Sequence, residues 1–251
     1  GVGLVLALVL VMLFFFNDTA TTEIYTLSLH DALLISFEEI IKFFERQLPQ
    51  LGVEVRLYTE ATVEKVLAER ADAVIVATGA TPYVPDIPGA QGANVITSND
   101  VLTGARTGQH VVIIDTQGTP PGCVVAEVLA DQGKRVEIVT GLNWVGSDIP
   151  GPVWHHLYER LLGKGVVMSP MTGVSQIGED FVDVYHVVNT SVARTIQSVD
   201  TVVMAAGGQA NDGLYNSLAG RVDELYVIGD SAQPRNIEMA TYQAHKVAVE
   251  L

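Results

Sequence analysis

Hydrophobic and polar positions along most of the chain alternate between helix-like and strand-like spacing. Residues 37–48 (FEEIIKFFERQL) place apolar side chains at helical intervals with charges on the other face, which predicts an amphipathic helix. The alternating run at 53–58 (VEVRLY) predicts a strand, and residues 62–70 predict a short helix. The continuous apolar run at 71–78 (ADAVIVAT) is typical of a strand buried on both faces of a parallel sheet.

A second series of alternating elements follows. Further strands are predicted at 110–115, 135–140, 166–168, 200–208 and 225–230, and further helices at 122–132, 152–163 and 236–251. Strands that alternate with helices indicate a doubly wound α/β architecture. The segments DAVIVATG and DTVVMAAG, which begin at Asp72 and Asp200, share one pattern. This echo predicts two related nucleotide-binding folds, with chance similarity of two buried strands as the alternative.

The first 36 residues do not fit this series. Residues 1–16 are entirely apolar, which leaves open a short transmembrane helix, a signal peptide without its basic region, or a buried core element. Residues 14–36 show neither helical nor strand periodicity, and they resemble the conceptual translation of sequencing-adapter DNA. We therefore expect residues 1–36 to be a non-native segment that contributes nothing to the fold. A membrane anchor is the alternative.

Composition and charge narrow the function classes. Hydrophobic residues make up 48% and charged residues 17% of the chain, which excludes a disordered protein. The formal net charge of −15 disfavours binding to nucleic acids and to anionic membranes. Cys123 is the single cysteine, so the chain has no disulfide framework, no cysteine-based zinc site and no CxxC redox pair. The two neighbouring histidines, His155 and His156, lack a third ligand at metal spacing, and no metal site is predicted.

Two glycine turns follow predicted strands of the sheet. Ligands of doubly wound sheets bind beyond the carboxyl ends of the strands, where Thr78-Gly79 and Gly229-Asp230 are expected. Glycine allows close approach of a cofactor, and the threonine and aspartate can hydrogen-bond ribose, ribityl or phosphate groups. The alternatives are structural: Gly79 serves a tight turn, and Asp230 caps the final helix.

A third turn has the position of a dinucleotide fingerprint but not its full composition. The predicted helix begins at Gly122, and counting back puts Gln117 and Thr119 at the two earlier glycine positions of GxGxxG. Gly118 lies between them, and the two prolines that follow have no N–H for a pyrophosphate. The acidic residue expected about 20 residues onward falls near Thr140 and is missing. Cys123, at this helix start, is either a thiol of lowered pKa or a small buried residue.

Four segments together resemble one known family. The segments ADAVIVATGATPYVPDIPG, AEVLADQGKRVEIVT, DTVVMAAGGQANDGLY and LYVIGDSAQPRN are similar to the flavoprotein half of the Old Yellow Enzyme-like NADH:flavin oxidoreductases, which include 2,4-dienoyl-CoA reductases and trimethylamine dehydrogenases. The resemblance implies two interleaved Rossmann-like folds: an incomplete FAD-binding-like domain at 37–104 and 209–251, and an NAD(P)-binding-like domain at 105–208. Family members also carry an FMN-binding barrel and a four-cysteine iron–sulfur cluster, so a C-terminal fragment without these parts is expected.

The resemblance also implies the cofactors and the site. FAD or ADP is expected to bind at Thr78, Gly79, Gly229 and Asp230, and Gly118 and Gly122 belong to the second nucleotide turn. That turn looks like the amine-dehydrogenase branch, in which this domain does not serve NAD(P)H. The predicted function is the flavin- or nucleotide-binding module of a cytoplasmic flavin-dependent oxidoreductase, inactive alone and partnered by its missing FMN-barrel domain. The alternative is a non-catalytic ADP-binding or scaffold module.

Overall fold

The computed structural model describes residues 5–9 and 30–251, and side chains from residue 39 onward. The chain divides into two compact units. The first unit combines the residues up to Gly79 with Ala210–Leu251, and the second unit is Ala80–Gln209. The described helices are α1 (His30–Gln50), α2 (Val63–Glu69), α3 (Ser98–Leu102), α4 (Pro120–Asp131), α5 (Gly151–Gly163), α6 (Gly213–Leu218) and α7 (Ile237–Glu250).

The described strands are mostly short. They are β1 (Val5–Val9), β2 (Ala73–Ala77), β3 (Ala80–Pro82), β4 (Val95–Thr97), β5 (His110–Asp115), β6 (Arg135–Thr140), β7 (Val167–Ser169), β8 (Thr172–Ile177), β9 (Phe181–His186), β10 (Ala193–Gln197), β11 (Thr201–Ala205), β12 (Gly208–Ala210) and β13 (Glu224–Val227). The predicted strands at 110–115 and 135–140 are observed with the same bounds.

The first unit contains a parallel sheet with the strand order β1-β2-β13. Helices α2 and α6 pack on one face of β2, where Val66, Val74, Val76 and Leu218 are buried together. Thr62 begins α2 by accepting a hydrogen bond from the Lys65 amide through its side chain. The apolar side chains of β2 thus fix the strand whose carboxyl end carries the predicted Thr78-Gly79 turn.

The second unit is built on a five-stranded parallel sheet with the order β4-β11-β5-β6-β7. Alternate residues of β5 face two different cores. Val111 and Ile113 pack with residues of α4 and α5, whereas Val112 and Ile114 pack with Val182 and other residues of the antiparallel sheet β10-β9-β8. A strand covered on both faces is apolar along its middle, which explains the continuous run Val111–Ile114 in the sequence. The predicted doubly wound α/β class is confirmed.

Part of the segment 1–36, which we expect to contribute nothing to the fold, lies in regular secondary structure. Val5–Val9 pairs in parallel with Ala73–Ala77, and helix α1 begins at His30 rather than at Phe37. Five apolar residues in a row can occupy a sheet position whatever their origin, so this pairing does not test whether the segment is native. The remaining positions, 1–4 and 10–29, lie outside the described residues.

Two further expectations differ from the structure. Residues 53–58 form no strand, because no described strand lies beside them, and Val55 and Leu57 are exposed. The predicted domain boundary after residue 104 differs from the boundary between the units, which follows Gly79. The reason is that β4 pairs with β11 and Val101 of α3 is buried in the core of the second unit. Among the described residues, no helix is long and apolar enough to cross a membrane.

Candidate functional site

In the first unit, the turns after β2 and β13 lie at one edge of the sheet. The two strands are parallel neighbours, and the Ile228 amide donates to the Val76 carbonyl at 3.0 Å. The hydroxyl of Ser231, which is buried, lies 2.7 Å from the Ile228 carbonyl oxygen and 3.2 Å from that of Val76. Parallel pairing therefore brings together the Thr78-Gly79 and Gly229-Asp230 turns, which are 151 positions apart in the sequence.

Both glycines of this edge adopt backbone conformations that favour glycine. Their φ angles are +71° at Gly79 and +64° at Gly229. A Cβ built on Gly79 would meet no atom within 4 Å, and one on Gly229 would meet only the Ala240 Cβ, at 3.5 Å. The Cα of Gly79 thus borders open space, which the close approach of a cofactor to the backbone would need.

Thr78 has a partner within the protein. Its hydroxyl donates to the Asn211 carbonyl oxygen, and the Asn211 amide donates to the Gly79 carbonyl oxygen at 3.0 Å. The hydroxyl proton is therefore engaged in holding the turn, while the oxygen can still accept a hydrogen bond. Sequence reasoning missed Asn211 because it lies 133 positions from Thr78.

Asp230 does not cap the final helix. The N-cap of α7 is Asn236, whose side-chain oxygen accepts from the Met239 amide at 2.9 Å. Asp230 lies instead in a short 3-10 helix (Gly229–Ser231), and its Oδ1 accepts from the Arg235 amide at 3.1 Å. Among the described residues, none donates to Oδ2 of Asp230, which leaves this oxygen available to a ligand hydroxyl. The capping alternative is thereby wrong.

In the second unit, the turn between β5 and α4 is tightly packed around Gly118 and Gly122. Gly118 has a φ of +67°, and a Cβ there would lie 2.3 Å from Ser147 Oγ and 2.9 Å from the Ser147 amide nitrogen. A Cβ on Gly122 would lie 3.4 Å from the Cβ atoms of both Ala205 and Asp115. Gly122 therefore permits the close helix–strand packing for which a dinucleotide fold uses its last glycine.

Two backbone amides of this turn have a partner within the protein. Oδ1 of Asp115 accepts from the amides of Gln117, at 3.0 Å, and Gly118, at 2.8 Å. Burial raises the pKa of Asp115, and these two hydrogen bonds partly oppose that effect. Thr119 precedes α4 without a side-chain cap, and prolines occupy the first positions of the helix. Thr140 ends β6 beside Asp115, where the sequence lacked the acidic residue expected for a ribose.

The structure also places the weaker candidates, Cys123 and the histidine pair. Burial, with the nearby carboxylates of Asp115 and Glu127, raises the pKa of Cys123 to about 12, so the alternative of a lowered thiol pKa is wrong. His155 and His156 are exposed on α5. In the described part of the chain, no group of three or more His, Cys, Asp or Glu side chains is placed to hold a metal ion.

Comparison with known proteins identifies the fold. The chain is 30% identical over 235 residues to a metal reductase of Desulforamulus reducens, which covers 80% of this chain and 34% of that protein. The structure of a 2-naphthoyl-CoA reductase complex matches 87% of this chain with a TM-score of 0.77 and 27% identity, and that of histamine dehydrogenase from Rhizobium sp. 4-9 matches 84% with a TM-score of 0.76 and 26% identity. The chain spans about a third of each of these relatives, 34%, 33% and 36%.

These relatives confirm the resemblance to the flavoprotein half of the NADH:flavin oxidoreductase and trimethylamine dehydrogenase group. The family model for pyridine nucleotide-disulphide oxidoreductases matches residues 56–246, which include both glycine turns of the first unit and the turn of the second. The chain therefore belongs to the pyridine nucleotide-disulphide oxidoreductase family, as a flavoprotein domain of the Rossmann type.

Proposed function

We propose that this chain is the nucleotide-binding module of a flavin-dependent oxidoreductase, and that its first unit holds FAD or its ADP portion. The observation that carries the proposal is the sheet edge at Gly79 and Gly229. Both glycines have positive φ, and the backbone at Gly79 borders open space. Asp230 adds a carboxylate oxygen that no described residue occupies, and it fits a ribose or ribityl hydroxyl.

A bound flavin would supply the transfer of electrons or hydride. The chain's own residues bind and orient it. Asp230 would accept from a sugar hydroxyl, and the turn at Gly79 would let the cofactor approach the backbone closely. We assign the substrate chemistry, with FMN and an iron–sulfur cluster, to the part of the relatives that this chain does not span, and we expect the whole protein to act in the cytoplasm.

The experiment is a titration of the full chain with FAD and with ADP. Asp230→Ala removes a charged acceptor, which is worth roughly 1.5–3 kcal/mol, so affinity should fall by about ten- to a hundredfold. Asp223→Ala is the matched control, because Asp223 is exposed and lies before β13, at the other end of the same strand. The affinities of the Asp223→Ala variant for FAD and ADP should stay within about twofold of those of the unchanged chain. Equal affinities for the Asp230→Ala variant and the unchanged chain would reject the assignment.

The alternative is a non-catalytic module that binds ADP or serves as a scaffold. The turn between β5 and α4 in the second unit favours this alternative, because the amides of Gln117 and Gly118 already donate to Asp115. The affinity for FAD relative to that for ADP distinguishes the two functions. Binding of ADP with an affinity equal to that of FAD indicates the scaffold, whereas FAD that binds at least about tenfold more tightly than ADP, with a perturbed visible spectrum, indicates the flavoprotein module.

A further inference from the structure

The turn that should hold a pyrophosphate in the second unit already holds a carboxylate of the chain. In a Rossmann fold, backbone amides of the first strand–helix turn and the helix amino end bind the pyrophosphate. Here Oδ1 of Asp115 accepts from two consecutive amides of that turn, those of Gln117 at 3.0 Å and Gly118 at 2.8 Å. Asp115 is 1% exposed. The donors that would meet a phosphate are therefore satisfied from inside the protein.

The helix that follows has few donors left to offer. The first N–H groups of a helix have no intrahelical partner and supply anion sites. Pro120 and Pro121 occupy the first two positions of α4 and have no N–H. The next residue, Gly122, packs so closely on the strand that its Cβ would lie 3.4 Å from the Asp115 Cγ. The carboxyl group thus lies against the amino end of α4, in the region that attracts an anion.

The second carboxyl oxygen strengthens this interpretation. Oδ2 of Asp115 is buried and has no hydrogen-bond partner among the described residues. A buried carboxyl oxygen without a partner is costly, so its presence calls for a structural or functional explanation. A second anion brought to this turn would be repelled by the charge of the buried carboxylate.

We propose that Asp115 is an internal substitute for the pyrophosphate, a specificity-determining residue that excludes nicotinamide dinucleotides from the second unit. The module would then bind nucleotide in its first unit only, which rests on the proposed function for that part. The exclusion itself depends on the geometry of the second unit alone. Two effects of Asp115 would cause the exclusion: it occupies the two amides, and it carries a negative charge. Different substitutions of Asp115 can separate these effects.

The test is an NADH titration of the full chain, followed by NADH fluorescence. Asp115→Asn keeps an oxygen acceptor but removes the charge, and Asp115→Ala also frees the two amides. Both are made together with Asp230→Ala, so that binding in the first unit is weakened equally in every sample. The chain that keeps Asp115 should bind NADH with a dissociation constant of about 1 mM or weaker. At least one Asp115 variant should have a dissociation constant roughly tenfold lower.

Asp200→Asn is the matched control. Oδ2 of Asp200 also accepts from two consecutive amides, Gln109 at 2.7 Å and His110 at 2.8 Å, but at the opposite edge of the same sheet. Asp200→Asn changes the net charge by the same amount as Asp115→Asn. If Asp200→Asn leaves the NADH affinity unchanged, a general effect of net charge is excluded. Circular dichroism verifies folding, and Asp115→Asn, which keeps the side-chain shape, serves if Asp115→Ala fails to fold.

Two results would overturn the proposal. One is micromolar NADH binding by the Asp230→Ala chain with Asp115 intact, and the other is an affinity unchanged within about twofold in the folded Asp115 variants. Failure of the proposed function gives a different result. In that case the chain binds neither FAD nor ADP, while the difference between the Asp115 variants and the Asp200 control persists.

Discussion

Gly118 shows how a single residue fixes the geometry of the second turn. It combines a positive φ with a site where a Cβ would lie 2.9 Å from the Ser147 backbone nitrogen. Gly133 has a similar φ of +76°, but a Cβ there would meet nothing within 4 Å. The two positions therefore separate the conformational cost of losing a glycine from the cost of a steric clash.

We expect Gly133→Ala to lower the free energy of unfolding by about 1 kcal/mol, the cost of the left-handed conformation for a residue with a Cβ. Gly118→Ala should lower it by a further 1–3 kcal/mol or so, because the clash with backbone forces neighbouring atoms to move. Urea unfolding of both variants measures the difference. If both variants lose the same free energy of unfolding, the turn rearranges around Gly118 without a steric cost.

At the level of elements, helices α4 and α5 are joined by an ion-pair network. Glu127 of α4 accepts from Arg160 through both carboxylate oxygens, at 2.7 and 3.0 Å, and from Lys164 at 2.9 Å. The hydrogen bonds from Arg160 lead the effects that lower the pKa of Glu127 to about 2. Glu127 is only 18% exposed, so solvent screens this pair less than a fully exposed one.

The lowered pKa predicts a pH dependence. Because the folded state favours the charged form, the network stabilises the protein fully above the ordinary glutamate pKa of 4.5, and this contribution is lost as the pH falls towards 2. Glu127→Gln should therefore cost about 1 kcal/mol at pH 7 and much less near pH 2. Urea unfolding at several pH values tests the expectation, and a loss independent of pH would assign the effect to packing instead.

The strands and helices also show which structural features could be predicted from the sequence. The run at β5 predicted a strand with the observed bounds, since burial on both faces leaves a continuous apolar signal. Residues 53–58 carry an equally clear alternation, but alternation does not reveal whether a neighbouring strand exists. Likewise, the helical spacing in α1 was read correctly, although Ile40 and Phe44 of its apolar face are about half exposed in this structure.

The candidate site was predictable only where it is local in sequence. Gly79 and Gly229 were chosen as candidates because each follows an apolar run that marks a strand. Ser231 was missed, because its partner Val76 lies 155 positions away. The role of Asp115 was also missed, since a carboxylate at the end of a strand does not show in sequence whether it faces a ligand or the amides of its own turn.

At the scale of the whole molecule, the two units differ in how the chain builds them. The first unit is assembled from two separate segments, whereas the second is the continuous stretch Ala80–Gln209. That stretch contains two buried clusters of its own, one on each face of its parallel sheet. A segment that holds its own core on both faces of a sheet has what an independently folding domain needs.

We therefore expect a polypeptide of residues 80–209 to fold alone and to unfold in one cooperative urea transition. Gly118→Ala provides an internal check, because its contacts with Leu142 and Ser147 lie within this stretch. The substitution should cost the isolated polypeptide the same free energy as it costs the full chain, within about 0.5 kcal/mol. A broad transition without a near-ultraviolet circular dichroism signal would mean that the core of the second unit needs the first unit to form.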